Sequence, residues 1–131
     1  MPNLGSGLGA CCRVIIASCM DSLKGMKLLA ERHRLPPILA VLLYQGASTP
    51  RQNDFLRPKG DLAKNIRLLQ FLGNQLRKEQ FSVADPFPLF KKYNKMALIV
   101  SEWDPHPNYL AHYLYAKSII TILNEKLRLL E

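Results

Sequence analysis

The chain has 131 residues, with 18 Lys and Arg against 10 Asp and Glu for a formal charge of +8, a length that suits one compact domain and is too short for two. With 48% apolar and 21% charged residues it belongs with globular sequences, which excludes disordered and collagen-like classes. No apolar run reaches the roughly 20 residues of a bilayer-crossing helix, because Arg, Lys, Asp or Pro interrupts each candidate, so no membrane span is expected.

Residues 1–12 hold three of the seven glycines and no sustained period, and read as a flexible leader ahead of a single α/β domain over 13–131. The segment lacks the basic start and unbroken apolar stretch of a signal peptide, which favours a cytoplasmic location. Leu8-Gly9-Ala10-Cys11 has some likeness to a lipoprotein cleavage site, but what precedes it is too short and too polar to insert. Cys11, Cys12 and Cys19 lie too close together to staple distant parts of a fold and lack zinc-site spacing, so neither a metal nor a cofactor is expected.

Arg13-Val14-Ile15-Ile16-Ala17 is a short apolar run that fits a buried strand or a helix start equally well. From Asp21 the spacing changes: Leu23, Met26, Leu29 and Ala30 recur at three and four, Asp21 or Ser22 can cap, Arg32 to Arg34 suit a last turn, and Pro36-Pro37 ends the helix. Ile38 to Tyr44 is a continuous apolar run between a proline pair and Gly46, as in a parallel strand buried on both faces. The long loop from Gly46 to Gly60 follows, of a length that often borders a functional site. Asp61 is expected to cap a second helix with Leu62, Ile66, Leu69, Leu72 and Leu76 on its apolar face.

Phe81 to Asp85 reads as another strand, stopped by Pro86-Phe87-Pro88, and Met96 to Val100 as one more extended segment. Asn108 is expected to cap a long helix from about Tyr109 to Leu130, with Leu110, Leu114, Ile119, Leu123 and Leu127 at core spacing. The alternation of helix and strand predicts an α/β sheet with helices on its faces, and right-handed crossovers make it parallel. The basic residues, among them Lys24, Lys27, Arg32, Arg34, Arg51, Arg57, Lys59, Arg67, Arg77 and Lys78, are scattered without interleaved aromatics. A basic nucleic-acid-binding domain is therefore the weakest reading, and no nucleic-acid partner is expected.

Trp103-Asp104-Pro105-His106-Pro107-Asn108 leads from the last extended segment into the last helix. In open parallel sheets ligands bind outside the carboxyl ends of the strands, so such a loop carries its side chains to a site. Two prolines stiffen it, His106 is suited to act as a general base near neutral pH, and Asp104 is the natural group to orient the imidazole.

Asp104-Pro105-His106-Pro107-Asn108, followed by Ala111-His112 and Ala116, resembles the last block of the SGNH (GDSL-type) serine hydrolases, which often have an Asp, one or two residues, His-Pro-Asn, then Gly-His and an Ala. The resemblance covers roughly residues 20 to 131. Two departures stand in it: the spacing is Asp-x-His where many members have Asp-x-x-His, leaving Glu102 as a substitute carboxylate, and Ala111 replaces Gly before His112. His112, with no carboxylate nearby in sequence, is read as structural.

The resemblance implies a partial three-layer, doubly wound parallel sheet (a flavodoxin-like SGNH fold lacking its first strands) and a serine ester hydrolase with a nucleophile on a strand-to-helix turn. The one candidate is Met20-Asp21-Ser22-Leu23-Lys24-Gly25, with Met20 where the family has Gly. A five-stranded doubly wound domain needs on the order of 150 residues, more than lies between Ser22 and His106, and Asp21 to Arg34 also matches the helix before a later strand. Gln52-Asn53-Asp54 resembles the family's Gly-x-Asn-Asp oxyanion block only in its last two residues, and Gly46 is a second donor by position alone.

The expectation is thus a truncated esterase or lipase-like acyl hydrolase, weakly active or inactive alone, with His106, Asp104 and Ser22 as site residues and a small acyl ester as substrate. Self-association through an unpaired sheet edge is expected with it. A non-catalytic α/β interaction module is the alternative.

Overall fold

The apolar runs after Pro36-Pro37 and after Gln80 form the two strands of the sheet. In the computed structural model, which describes residues 9–44, 55, 57–101 and 103–129, β1 (Leu39–Val41) and β2 (Ser82–Ala84) pair in parallel. Leu39 lies opposite Ser82, Ala40 opposite Val83 and Val41 opposite Ala84, and Leu42 N–H extends the ladder to Ala84 C=O at 3.0 Å. Both strands are shorter than the apolar runs that form them, yet Leu42, Tyr44 and Phe81 just beyond their ends are buried. Among the described residues the chain is a mixed α/β arrangement, mostly helical.

Helix α1 (Ala10–Arg32) runs unbroken through the segment that fits either strand or helix, so Arg13 to Ala17 is helical, as are residues 10–12 of the expected leader; residues 1–8 lie outside the described residues. It ends before the prolines. Arg34 N–H bonds to Glu31 C=O and Leu35 N–H to Ala30 C=O, with Arg34 in the left-handed region at φ 53°, the hydrogen-bond pattern of a Schellman motif. Met20 and Ala30 are buried and Ile16 and Leu23 half-buried, but Met26 and Leu29, expected in the core, face solvent.

Helix α2 (Gly60–Lys78) crosses from β1 to β2. Its buried Leu62, Ile66 and Leu76, with Leu69 and Leu72 half-buried, form the expected apolar face. Asp61 is not its cap: Lys59 occupies that position without a side-chain bond, Gly60 takes the positive φ of 55° that opens the helix, and Asp61 sits in the first turn, where its charge complements the dipole. Gly73 lets α2 approach the chain beyond β1, since a Cβ there would come within 2.8 Å of Leu42 Cδ1. The helix closes as α1 does, with Gln80 at φ 62° and Phe81 N–H bonded to Leu76 C=O.

After β2 come a single turn, α3 (Phe87–Phe90), and a 3-10 turn at Lys95–Leu98 where an extended segment was expected. Only Ile99 from that segment bridges, antiparallel to Pro107. Asn94 explains the difference, because its side chain accepts from Ala97 N–H and starts a helical turn instead.

Helix α4 (Tyr109–Arg128) is capped by Asn108 as expected. Ala111, Leu114, Tyr115 and Ser118 are buried, whereas Leu123 and Leu127, expected in the core, are exposed. Both lie on the side of α4 turned away from Ala111, Leu114, Tyr115 and Ser118, whereas Ile122, one residue before Leu123, is half-buried and lines a hollow with Val83 of β2. The core joins Met20, the residues beyond β1, Phe55, the α2 face, Val83, Phe90, Leu98 and the first half of α4. Within it Phe90 stacks edge-on against Phe55 and Tyr115, with centroids 5.4 and 5.0 Å apart.

Candidate active site

The direction of α4 relative to the strands places the Asp104–His106 loop. Tyr115, in the second turn of α4, accepts at 3.0 Å from the N–H of Tyr44, three residues past β1, while Lys126 near the other end lines a hollow of about 300 Å³ with Ile38 and Ser82 at the starts of the strands. Helix α4 therefore runs antiparallel to the sheet, and the loop that enters it lies toward the carboxyl ends of the strands.

That loop is a small closed hairpin. Val100 N–H donates to His106 C=O and Asn108 N–H to Leu98 C=O, both at 3.0 Å, and Ser101 and Asp104 exchange backbone bonds at 3.1 and 3.2 Å. Ser101 Oγ accepts from the N–H groups of Trp103 and Asp104 at 3.3 and 3.1 Å, which fixes the turn in front of Asp104. Sequence reasoning passed over Ser101, although a serine at the head of a tight turn is a recognised turn signal. Asn108 clamps the base of the hairpin: Oδ1 caps α4 through Ala111 N–H while Nδ2 donates to Ala97 C=O at 2.9 Å and Ile99 C=O at 3.1 Å.

On this frame Asp104 Oδ1 lies 2.5 Å from His106 Nδ1 and also accepts His106 N–H at 3.1 Å. The contact puts a proton on Nδ1 and leaves Nε2 unprotonated in the neutral ring, the tautomer a general base needs. The His106 ring bond and its backbone N–H hold the Asp104 carboxyl below its ordinary value. The pair stands in solvent, with His106 80% exposed, and its neighbours Val100, Trp103 and Tyr109 expose apolar surface.

The other expected site residues are not brought to it. Ser22 lies in mid-helix on α1, exposed, where no strand-to-helix turn exists, and its hydroxyl donates to Ser18 C=O at 3.1 Å. His112 is exposed on α4. Glu102, Gly46 and Gln52-Asn53-Asp54 lie outside the described residues. Asp85, at the end of β2, turns its carboxylate to Phe87 N–H at 3.0 Å and to Arg77 at 3.9 Å. Beside it the Tyr44 hydroxyl is buried with no hydrogen-bond partner among the described residues, its pKa raised by burial and by the Asp85 charge, which lies outside bonding geometry.

Among the described residues no three His, Cys, Asp or Glu side chains gather as a metal site, and no helix is long and apolar enough to cross a membrane. No family model, curated protein or solved structure matches the chain.

Proposed function

We propose that this chain carries the second half of an SGNH-type ester hydrolase domain, with His106 as general base and Asp104 as the carboxylate that orients it. One observation carries the reading: Asp104 Oδ1 and His106 Nδ1 are 2.5 Å apart in a clamped loop that enters a helix at the carboxyl side of a parallel sheet. In this reading Nε2 takes the proton of a serine hydroxyl as it attacks an acyl ester, the imidazolium is stabilised by Asp104, and the proton passes to the leaving alcohol. The exposed Val100 and Trp103 beside the pair suit an apolar acyl group. The crossover from β1 through α2 to β2 fits the later part of a doubly wound sheet, whose further strands, or a second copy, would pair at the edges left open among the described residues.

A second reading, a non-catalytic α/β interaction module, is favoured by Ser22, which the α1 helix holds exposed and bonded to its own turn. The two readings are separated by a serine-reactive phosphonate followed by mass spectrometry. Loss of the nucleophile from a Ser-His-Asp site lowers turnover by about six orders of magnitude, so the chain alone is expected to hydrolyse activated short esters feebly and to resist labelling. Adding a separately expressed Gly-Asp-Ser segment is expected to restore labelling in a His106-dependent way. Stoichiometric labelling of Ser22, abolished by His106→Ala, would instead make this chain a complete hydrolase, and no labelling under any complementation would leave the interaction module.

A further inference from the structure

Helix α4 buries Ala111, Leu114, Tyr115 and Ser118 against the rest of the molecule, and its opposite face is not polar. Tyr109, Tyr113, Ala116, Ile120, Leu123 and Leu127 all face solvent, the five large side chains between 48% and 85% exposed. Their spacing of four, three, four, three, four is the a/d pattern of a heptad repeat, with Tyr113, Ile120 and Leu127 at a and Tyr109, Ala116 and Leu123 at d. A surface helix of a monomer shows polar residues on that face. Here every position of the seam is apolar over about 30 Å of helix.

We infer that α4 packs against α4 of a second copy of this chain as a parallel two-helix pair along this seam. Three observations select that occupant. A heptad seam is matched layer by layer only by another heptad seam, and a parallel pair of identical helices sets each a and d residue against its own counterpart. Ile at a with Leu at d in the layers of Ile120 and Leu123 favours two strands over higher assemblies.

Charge selects the orientation. The flanking positions hold His112, Ile119 and Lys126 on one side and Leu110, Lys117 and Asn124 on the other. In parallel, Lys117 faces His112 of its partner and Asn124 faces Ile119, so no two lysines are opposed there, whereas antiparallel packing with the seams in full overlap brings Lys117 toward Lys117. The area suffices as well: five large side chains exposed to this degree offer on the order of 600 Å² per copy, so about 1,200 Å² for a pair, the lower end of specific interfaces. The seam begins at Tyr109, just past the Asp104–His106 loop, and includes neither member of the pair.

Sedimentation velocity of the full chain from about 1 to 100 µM, the range that a small interface implies, is expected to show a monomer–dimer equilibrium. Ile120→Glu with Leu123→Glu, both on the solvent side, is expected to keep the far-ultraviolet circular dichroism and to sediment as monomer throughout; should that pair misfold, Tyr113→Lys near the helix start serves the same comparison. Leu127→Cys, with Cys11, Cys12 and Cys19 replaced by Ser, is expected to cross-link to itself under mild oxidation, because only the parallel pair sets Leu127, at the end of the seam, against Leu127. A wild-type chain that stays monomeric overturns the inference. So does a dimer indifferent to the seam variants, which would put the contact on α1 or a sheet edge, and a seam-dependent dimer without the Leu127→Cys cross-link overturns the parallel arrangement.

Discussion

Asp104 Oδ1 accepts both the ring and the backbone N–H of His106, so a single oxygen carries most of what holds the imidazole in place. The carboxyl is lowered first by the ring bond and then by the backbone bond. Its folded value being depressed, its contribution to stability is present above the ordinary carboxylate range and is lost as pH falls through the folded value. Carboxyl-carbon NMR is expected to place the Asp104 midpoint below the ordinary value of about 3.9, and His106→Ala to return it toward that value. An unchanged midpoint in the variant would mean that the pair is not formed in solution. This pair was legible in the sequence because its partners are two residues apart and their contact is local. The Ser22 turn was not, since only a strand ahead of it would have made one, and the helix starting at Ala10 leaves no strand there.

A second residue, Tyr115, ties the end of β1 to α4. Burial pushes its hydroxyl up to about 12, with the Tyr44 N–H bond pulling the other way. The neutral form is the one the fold keeps. Stability is therefore unaffected below about pH 10, where the unfolded chain begins to ionise, and declines from there to about pH 12. Tyr115→Phe removes the acceptor of a buried N–H and is expected to cost about 1–3 kcal/mol at neutral pH. It is also expected to flatten the alkaline decline in urea titrations. A variant as stable as the parent would show that Tyr44 N–H finds another acceptor.

At the scale of elements, α1 and α2 close alike, with a non-glycine residue in the left-handed conformation, Arg34 in one and Gln80 in the other. That conformation strains an L-residue by roughly 1–2 kcal/mol and glycine hardly at all, against which glycine loses more chain entropy on folding. Gln80→Gly is therefore expected to stabilise by about 0.5–1 kcal/mol, read from the urea midpoint; destabilisation would mean that the Gln80 side chain contributes more than its backbone strain subtracts. The helix α2, the two strands and the cap of α4 followed from periodicity and boundary residues, since each is decided within its own segment. What escaped depended on partners. Leu123 and Leu127 have helical spacing, but they continue the face of α4 opposite Ala111, Leu114, Tyr115 and Ser118, so periodicity alone could not tell which apolar stripe meets the sheet, and Met96 to Val100 is apolar enough for a strand while Asn94 turns its start into a helical turn.

For the whole molecule the charge count outweighs the ion pairs. Eighteen basic residues face ten acidic ones, and the pairs among the described residues include Lys24–Glu79 at 2.9 Å, Lys64–Asp61 at 3.6 Å, Arg77–Asp85 at 3.9 Å and Lys27–Glu31 at 4.0 Å. All have at least one partner substantially exposed, and pairs of that kind contribute about 0–1 kcal/mol each. Screening weakens these attractions and also the repulsion among the cations in excess, and the second effect is larger for a net charge of +8 in 131 residues. Going from about 10 mM to 150 mM sodium chloride shortens the screening length from about 30 to 8 Å, less than the width of the molecule. The melting temperature is expected to rise over that range, measured at about 1 µM chain so that α4 pairing contributes little. A fall with salt would show that such pairs hold the fold more strongly than their exposure implies, and would direct attention to Lys24–Glu79, which joins α1 to the end of α2.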